Sequence, residues 1–290
     1  MKFHSGVILD LLRVKQWTKN LLIYAALVFT NNLFNPLYFG KVTVGFFLLC
    51  FAASGLYIFN DLSDYKSDKL HPQKKNRPIV AGAVQKNFAW FLGILLLLIS
   101  LTGSFFLNFQ FFLLVIAYMI MTTLYTLSLK HVVIIDVFIL STGFVLRAIA
   151  GALVLSVTIS PWLLICTFLL ALFLALAKRR NELTFPDAHK HRKILEEYSI
   201  PLLDEMISIV TASTVIAYSL YTFTSSTAAK HNYLMLTIPF VLYGIFRYLY
   251  LIHKKNLGGS PEAILLKDMP VLIDIILFVA TTIVIVYFVK

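Results

Sequence analysis

Long apolar runs separated by short polar segments repeat along the whole chain. Each run has about the 20 residues that an α-helix needs to cross the hydrocarbon core of a bilayer. The pattern predicts nine transmembrane helices, of which the first is the least regular because three asparagines interrupt its end. The predicted ranges are 18–36, 42–60, 88–107, 110–129, 133–155, 161–178, 206–226, 233–252 and 270–289.

The composition is that of a polytopic membrane protein. Of 290 residues, 59% are hydrophobic and only 13% are charged, and the mean hydropathy is +0.84, values too apolar for a soluble domain of this size. Cys50 and Cys166 both lie in apolar runs, so we expect neither a disulfide framework nor a cysteine-based metal site. The N-terminal residues lack the features of a signal peptide, so we expect them in the mature protein. The sequence therefore predicts one all-α domain over residues 1–290.

Charge is distributed unevenly between the two ends of the predicted helices. With a cytoplasmic N-terminus and nine crossings, the basic residues follow the positive-inside rule, except Lys41, Lys230, Lys290 and the intramembrane Arg147. All 14 acidic residues also lie on or near the cytoplasmic side, although such residues have little influence on topology. We therefore predict a site for anions and a metal ion at the cytoplasmic face and a C-terminus outside. No soluble basic domain is present to bind nucleic acid, despite a pI near 9.6.

Four oxygen-bearing side chains end the second apolar run: Asn60, Asp61, Asp64 and Asp68. Their spacing places them on one broad face if the helix continues through them. Clustered carboxylates repel one another unless a cation lies among them. Mg²⁺ suits such a site, because it is often held by one or two carboxylates together with substrate phosphates. The alternative is a solvated helix end whose charges serve solubility.

Several basic and polar residues lie at the ends of predicted helices. They could contact phosphate oxygens, or could support the residues that make such contacts. They are Lys15 and Lys19 before the first, Lys74, Lys75 and Arg77 after the second, Tyr125, Lys130 and Asp136 around the turn into the fifth, and Lys178, Arg179 and Glu182 at the end of the sixth. Taken singly, a basic group of this kind is equally explained as an interfacial anchor or a positive-inside flank.

Arg147 lies inside the fifth predicted helix, about 16 Å beyond Asp136 at 1.5 Å per residue. An arginine at that depth is costly and usually faces a polar cavity or a partner. Two interpretations remain open at this point. Arg147 either forms a structural ion pair inside the bundle, with Asp136 as the candidate partner, or contacts the substrate.

The acidic cluster resembles the first Asp-rich motif of the UbiA-type intramembrane prenyltransferase superfamily, which binds a diphosphate through Mg²⁺. Where the aromatic prenyltransferases of that family carry a second Asp-rich motif, this chain has Lys178-Arg179-x-x-Glu182. Its motifs are instead similar to the decaprenyl-phosphate phosphoribosyltransferase branch along nearly the whole chain. The matching pieces are Arg13-x-Lys15-Gln16-Trp17-x-Lys19-Asn20, His71-Pro72-x-Lys74-x-x-Arg77-Pro78, Leu129-Lys130-x-x-x-x-x-Asp136, Gly143-Phe144-x-x-Arg147-Ala148-Ile149-Ala150-Gly151, Lys178-Arg179-x-x-Glu182-Leu183 and Gly258-Gly259-x-Pro261-Glu262.

This resemblance implies a UbiA-like bundle and an enzyme that joins phosphoribosyl diphosphate (PRPP) to a long polyprenyl phosphate and releases pyrophosphate. Two alternatives remain: transfer of a prenyl group from a prenyl diphosphate to an aromatic or other small acceptor, and transport of a lipid phosphate or small anion. PRPP carries a diphosphate and a separate 5-phosphate, so one acidic cluster with several remote cations suits its charges.

The resemblance also implies roles for the candidate residues. Asn60, Asp61, Asp64 and Asp68 would hold Mg²⁺ and pyrophosphate. The phosphates of the two substrates would be shared among Lys15, Lys19, Lys74, Arg77, Lys130, Lys178 and Arg179, and Arg147 is a further candidate for substrate binding. Tyr125, Asp136 and Glu182 would contact ribose hydroxyls or orient the cations. The residues expected to act in catalysis are Asp61, Asp64, Asp68, Lys178 and Arg179.

Overall fold

The computed structural model describes residues 5–289 apart from 70–73, 159, 186–192, 226, 232, 256, 260–263, 265 and 266. Regular structure within these residues is entirely helical. In chain order the α-helices are α1 (Ser5–Leu11), α2 (Ala25–Phe29), α3 (Pro36–Ser63), α4 (Tyr65–Asp68), α5 (Lys86–Leu107), α6 (Phe109–Leu127), α7 (Ile135–Leu155), α8 (Pro161–Leu183), α9 (Ile200–Thr224), α10 (Ile238–Lys255) and α11 (Met269–Phe288). Short 3₁₀ helices cover Val14–Tyr24, Lys74–Asn76, Leu129–His131, Lys193–Glu197 and Leu234–Thr237.

Eight helices among the described residues are long and apolar enough to cross a membrane. They are α3, α5, α6, α7, α8, α9, α10 with its preceding 3₁₀ turn, and α11. Large apolar side chains cover much of the outer surface of the bundle; Phe106 is 85% exposed and Ile209 is 67% exposed. A lipid-facing surface requires such residues, because hydrocarbon cannot solvate polar groups. The prediction of nine membrane-spanning helices is therefore not confirmed.

The first predicted span, 18–36, is not a regular α-helix. A 3₁₀ helix, Val14–Tyr24, continues into the short α2. With a rise of about 2.0 Å per residue in the 3₁₀ part and 1.5 Å in the α part, the two reach about 30 Å. Arg13, just before this segment, contacts Asp61 at one end of the bundle, and Phe29 at its end packs against Tyr221 at the other. The segment therefore traverses the bundle with fewer residues than an α-helix would need.

Polar side chains fix where several of the long helices begin. The side chain just before the first turn accepts hydrogen bonds from backbone amides that have no partner within the helix: Asn35 for α3, Asn108 for α6, Ser199 for α9 and Asp268 for α11. Three of these helices also have proline in the first turn. Asn35, which interrupts the first apolar run, thus starts α3 at Pro36 rather than at the predicted 42.

The irregular segment lies against α7 because a glycine permits very close contact. A Cβ atom added to Gly151 would lie 2.0 Å from the carbonyl oxygen of Ile23, which no side chain could accommodate. Ile23 and Leu27 are fully buried here and pack with Leu49 of α3 and Ala150 of α7. This core holds the segment between α3 and α7 and so positions the polar residues that the segment carries.

Candidate active site

Asp61 and Asp68 are brought together by a shared cation. Asp61 lies near the end of α3 and Asp68 in α4, and both are buried. Arg77 Nη1 donates to Asp61 Oδ1 at 2.9 Å and to Asp68 Oδ2 at 2.5 Å. Arg13 donates a further hydrogen bond to the same oxygen of Asp61, and Lys74 Nζ lies 3.9 Å from Asp68. Two carboxylates and two guanidinium groups thus form a compact charged centre.

The other two members of the acidic motif have different contacts, and the α-helix is interrupted within the motif. The helix ends at Ser63, Asp64 has a non-helical φ of −83° and ψ of 5°, and α4 starts again at Tyr65. Asp64 Oδ1 lies 3.7 Å from Lys130 Nζ, just after α6. Asn60 lines a neighbouring cavity. The four side chains therefore differ in their contacts, and the expectation that they share one face stays a prediction.

The donor set fits a divalent cation bound together with substrate. In the described part of the chain, no three His, Cys, Asp or Glu side chains are grouped as a metal site. Asp61 and Asp68 nevertheless form a buried carboxylate pair whose oxygens accept from one nitrogen of Arg77. This matches the usual Mg²⁺ arrangement, in which one or two carboxylates act with substrate phosphates and water.

A cavity of about 250 Å³ adjoins this centre, and we call it the proximal cavity. Its lining includes Arg13, Lys19, Tyr57, Asn60, Tyr125 and Arg147, with no carboxylate among the lining residues. Arg13 stacks over the ring of Tyr57 at 4.8 Å, a favourable cation–π contact. Three cationic side chains around one small space favour an anionic ligand.

Arg147 is held by neutral partners. Its Nε donates to Asn20 Oδ1 at 2.7 Å and its Nη2 donates to the Tyr118 hydroxyl at 3.0 Å. The guanidinium also lies over the rings of Tyr118 and Phe144. No carboxylate among the described residues forms an ion pair with it, so the predicted alternative of a structural pair with Asp136 is wrong. Its charge is directed to the proximal cavity that it lines.

Arg179 and Asp136 form a buried ion pair instead. Arg179 Nε donates to Asp136 Oδ2 at 2.8 Å and Nη1 donates to Glu182 Oε2 at 2.7 Å. The Arg179 side chain is only 1% exposed and that of Asp136 is 0% exposed. The guanidinium is thus already paired with two carboxylates. No phosphate contact of Arg179 follows from this geometry. Asp136 and Glu182 both hold this cation, in agreement with the second of their two predicted roles, which was to orient the basic side chains.

Tyr198 completes this buried pair from the loop before α9. Its hydroxyl donates to Asp136 Oδ1 at 2.9 Å and accepts from the Ile134 amide at 2.8 Å. Burial, and then the nearby Asp136 carboxylate, raise the pKa of Tyr198 to about 12. The hydroxyl therefore stays protonated and donates to Asp136 at physiological pH.

The remaining predicted residues divide into those at the site and those away from it. Lys19 and Tyr125 line the proximal cavity, whereas Lys15 is exposed and Lys178 lies outside the lining. The motif residues His71, Pro72, Pro261 and Glu262 lie outside the described residues. The site residues missing from the prediction are Arg13, Asn20, Tyr118 and Tyr198. Arg13 and Asn20 belong to the first matching motif, which was a usable signal.

Comparison with known proteins identifies the family. Residues 21–267 match the UbiA prenyltransferase family. A decaprenyl-phosphate phosphoribosyltransferase of Mycolicibacterium smegmatis is 33% identical, covering 98% of this chain and 93% of the relative. One of Corynebacterium glutamicum is 32% identical, covering 89% and 80%. The structure of a UbiA homolog from Archaeoglobus fulgidus bound to GPP and Mg²⁺ superposes with a TM-score of 0.74 at 21% identity, covering 97% of this chain and 99% of that one.

The helical bundle and its polar end define a membrane-embedded transferase fold. The chain belongs to the UbiA prenyltransferase family, and it is an enzyme, a transferase of that family.

Proposed function

We propose that this enzyme transfers the 5-phosphoribosyl group of PRPP to a polyprenyl phosphate and releases pyrophosphate in an Mg²⁺-dependent reaction. The observation that carries the proposal is the proximal cavity, which three cations line and which adjoins the Asp61–Asp68 pair through Arg13. A substrate with a diphosphate and a second, separate phosphate has matching charges. The names of the relatives at 32–33% identity support the same reaction.

The chemistry requires charge stabilisation and positioning rather than a base. The bond between C1 of the ribose and a pyrophosphate oxygen breaks, and its electron pair leaves with pyrophosphate. An oxygen of the lipid phosphate forms the new bond to C1. This nucleophile is already anionic at neutral pH, so no side chain needs to remove a proton. Holding the two substrates close together and in the orientation for reaction supplies much of the rate enhancement.

The acidic centre is the proposed pyrophosphate site. Asp61 and Asp68 would hold Mg²⁺, with Asp64 and Asn60 alongside, and the ion, when bound, supplies charge neutralisation for the leaving group. A UbiA homolog with this fold binds Mg²⁺, which supports a divalent cofactor. Arg13 and Arg77, which already bridge the carboxylates, are the adjacent cations for pyrophosphate oxygens. Lys74 and Lys130 supply further positive charge.

The proximal cavity is the proposed site for a second phosphate group. Arg147 and Lys19 would bind its oxygens, and Tyr125 would contact a ribose hydroxyl. Asn20 and Tyr118 fix the orientation of the Arg147 guanidinium. The groups that fix Arg147 are neutral, so the full positive charge of its guanidinium remains available to the bound phosphate.

The proposed orientation follows the charges. Basic residues concentrate at the site end of the bundle, so the site faces the cytoplasm, with the N-terminus inside and the C-terminus outside. The acceptor's polyprenyl tail would then lie in the bilayer while its phosphate enters the site. A single domain over residues 1–290 carries this function.

Pyrophosphate release by the full-length protein in detergent tests the proposal. One reaction contains PRPP, a polyprenyl phosphate and Mg²⁺; the other contains a prenyl diphosphate, an aromatic acid and Mg²⁺. We expect release only in the first reaction, and only when the lipid is present. Release only in the second would contradict the proposal and identify a prenyl transferase with an aromatic acceptor.

A matched pair of variants links this activity to the site. Arg77→Gln removes the cation shared by Asp61 and Asp68, and we expect pyrophosphate release to fall by about a hundredfold or more. Lys75→Gln changes an exposed neighbour in the same segment and should keep the wild-type rate. Equal rates in the two variants would remove the acidic centre from the mechanism.

A further inference from the structure

A second and larger cavity lies away from the proposed site. Its volume is about 810 Å³, and we call it the distal cavity. Hydroxyl, amide, imidazole and ammonium groups line one part of it, and apolar side chains such as Phe29 and Leu163 line the rest. Such a mixture is typical of a ligand site in which a few polar groups fix orientation.

The distal cavity is at the opposite end of the bundle from the acidic centre. It is bordered by residues after α2, by Ser156 at the end of α7, by Ser160 before α8 and by Thr227 after α9. The Arg179 pair lies at the other ends of α7 and α8, and the acidic centre lies at the end of α3 that is far from Asn35 and α2. Between the two cavities, Gly151 packs directly against the Ile23 carbonyl. The distal cavity is therefore a separate site.

Two buried polar atoms in this cavity lack a full hydrogen bond. Nδ1 of His231 is buried and has no hydrogen-bond partner among the described residues, and the buried hydroxyl of Tyr221 has only the Thr227 side chain nearby, without the geometry of a full hydrogen bond. Tyr221 is only 1% exposed. A buried polar group without a partner costs roughly 1–3 kcal/mol, so most such groups in native proteins are satisfied. A ligand that accepts hydrogen bonds from this cavity would satisfy them.

The charge of the cavity selects the class of ligand. Lys230 lines it, and no carboxylate is among the lining residues or forms an ion pair with Lys230 in the described chain. The backbone amides at the start of α8, a helix of 23 residues, also lie at this cavity, and Ser160 makes no side-chain capping bond to them. The uncapped N-terminus of a long helix attracts anions.

We propose that the distal cavity binds a phosphate group, which contacts Lys230, His231 and Tyr221 at the start of α8. Phosphate supplies the negative charge and the multiple acceptor oxygens that these donors require. The apolar part of the cavity would accommodate a hydrocarbon portion if the phosphate belongs to a lipid headgroup. The same donors would also bind a free phosphate ion.

Thermal unfolding of the full-length protein in detergent, titrated with two probes, tests the site and distinguishes the sources. One arm uses inorganic phosphate; the other uses micelles with increasing phosphatidylglycerol, with dioleoylglycerol as the lipid that lacks phosphate. In at least one arm, we expect Lys230→Gln combined with His231→Gln to weaken the stabilising response about tenfold. A loss in the first arm alone identifies free phosphate, and a loss in the second identifies a lipid headgroup.

Two further variants keep the test decisive. Lys41→Gln removes an exposed lysine from the same end of the bundle and should respond like wild type. Tyr221→Phe removes a buried hydroxyl without changing shape, so it should fold normally and still respond more weakly than wild type in the same arm as the double variant. If neither the double variant nor Tyr221→Phe differs from wild type in either arm, the distal cavity is not a phosphate site.

Discussion

Arg147 Nε donates a hydrogen bond to Asn20 Oδ1 at 2.7 Å, and this bond links α7 to the irregular segment across 127 positions of sequence. The partner is a neutral amide, so the guanidinium is oriented without being neutralised. An aspartate at the same position would hold Arg147 in place but pair with its charge. The identity of residue 20 therefore determines whether Arg147 can attract a substrate phosphate.

Asn20→Asp should raise the KM for one phosphate-bearing substrate while the protein stays folded. A hydrogen bond to a charged group contributes about 1.5–3 kcal/mol, so we expect a rise of roughly 10- to 100-fold. Steady-state kinetics with each substrate varied in turn would identify which phosphate Arg147 binds. Asn108→Asp makes the same chemical change at the cap of α6 and should leave both KM values unchanged. Unaltered KM values in Asn20→Asp would remove Arg147 from substrate binding.

Asp64→Asn should abolish turnover without unfolding the protein. Asp64 is partly exposed and lies 3.7 Å from Lys130, and a pair of this kind contributes about 0–1 kcal/mol to stability. Its carboxylate is nevertheless next to the proposed Mg²⁺ and pyrophosphate site. Activity and the unfolding midpoint would be measured together, with Asp10→Asn as the control at an exposed carboxylate. A wild-type rate in Asp64→Asn would contradict its role at the metal site.

Arg179→Gln should destabilise the protein far more than Arg180→Gln. Loss of Arg179 leaves Asp136 buried without its cation, which costs about 3–5 kcal/mol. Arg180 pairs with Asp204 at 2.5 Å, but Asp204 is about one-third exposed, so that change should cost about 1 kcal/mol or less. Denaturant unfolding in detergent measures both free energies. Similar stabilities, with activity lost only in Arg179→Gln, would favour a direct catalytic role over positioning.

Hydrophobic patterning was sufficient to locate eight of the nine predicted spans, because apolar runs of helical length have few other structures available in a bilayer. It did not reveal the irregular form of the first run, because apolar residues do not distinguish a 3₁₀ helix from an α-helix. It also assumed that α3 continues through the acidic motif. Spacing alone also does not contain the tertiary contacts of the motif, in which Asp64 lies 3.7 Å from Lys130 and Arg77 joins Asp61 to Asp68.

The charged and polar residues of the site were easier to predict than the side chains with which they pair. Asp61, Asp68, Asn60, Lys19, Tyr125 and Arg147 were all assigned to the site. The structure joins the first two through Arg77 and places the other four around the proximal cavity. Arg179 was expected to bind phosphate because it ends an apolar helix beside other cations. Its burial against Asp136 depends on the packing of α7 and α8 and on Tyr198, 62 positions from Asp136.

Asp268 supplies a pH-dependent link between α10 and α11. It accepts hydrogen bonds from Arg247 Nε at 3.2 Å and Nη2 at 3.0 Å, and it caps the Val271 amide. The hydrogen bonds from Arg247, more than any other contact, hold the pKa of Asp268 below its usual 3.8. A depressed carboxyl pKa adds stability that is complete above the unfolded-state pKa and is lost as the pH falls through the folded-state pKa.

Asp268→Asn keeps a good helix cap but removes the charge that pairs with Arg247. We expect wild type to be more stable than the variant by a constant amount above about pH 5, and the difference to narrow as the pH falls below about 4. Unfolding midpoints of both proteins, measured from pH 7 down to the acid limit of the detergent, test this. A difference that stays constant through the acid range would show that the Asp268 carboxylate and Arg247 are not coupled, and that the cap alone positions α11.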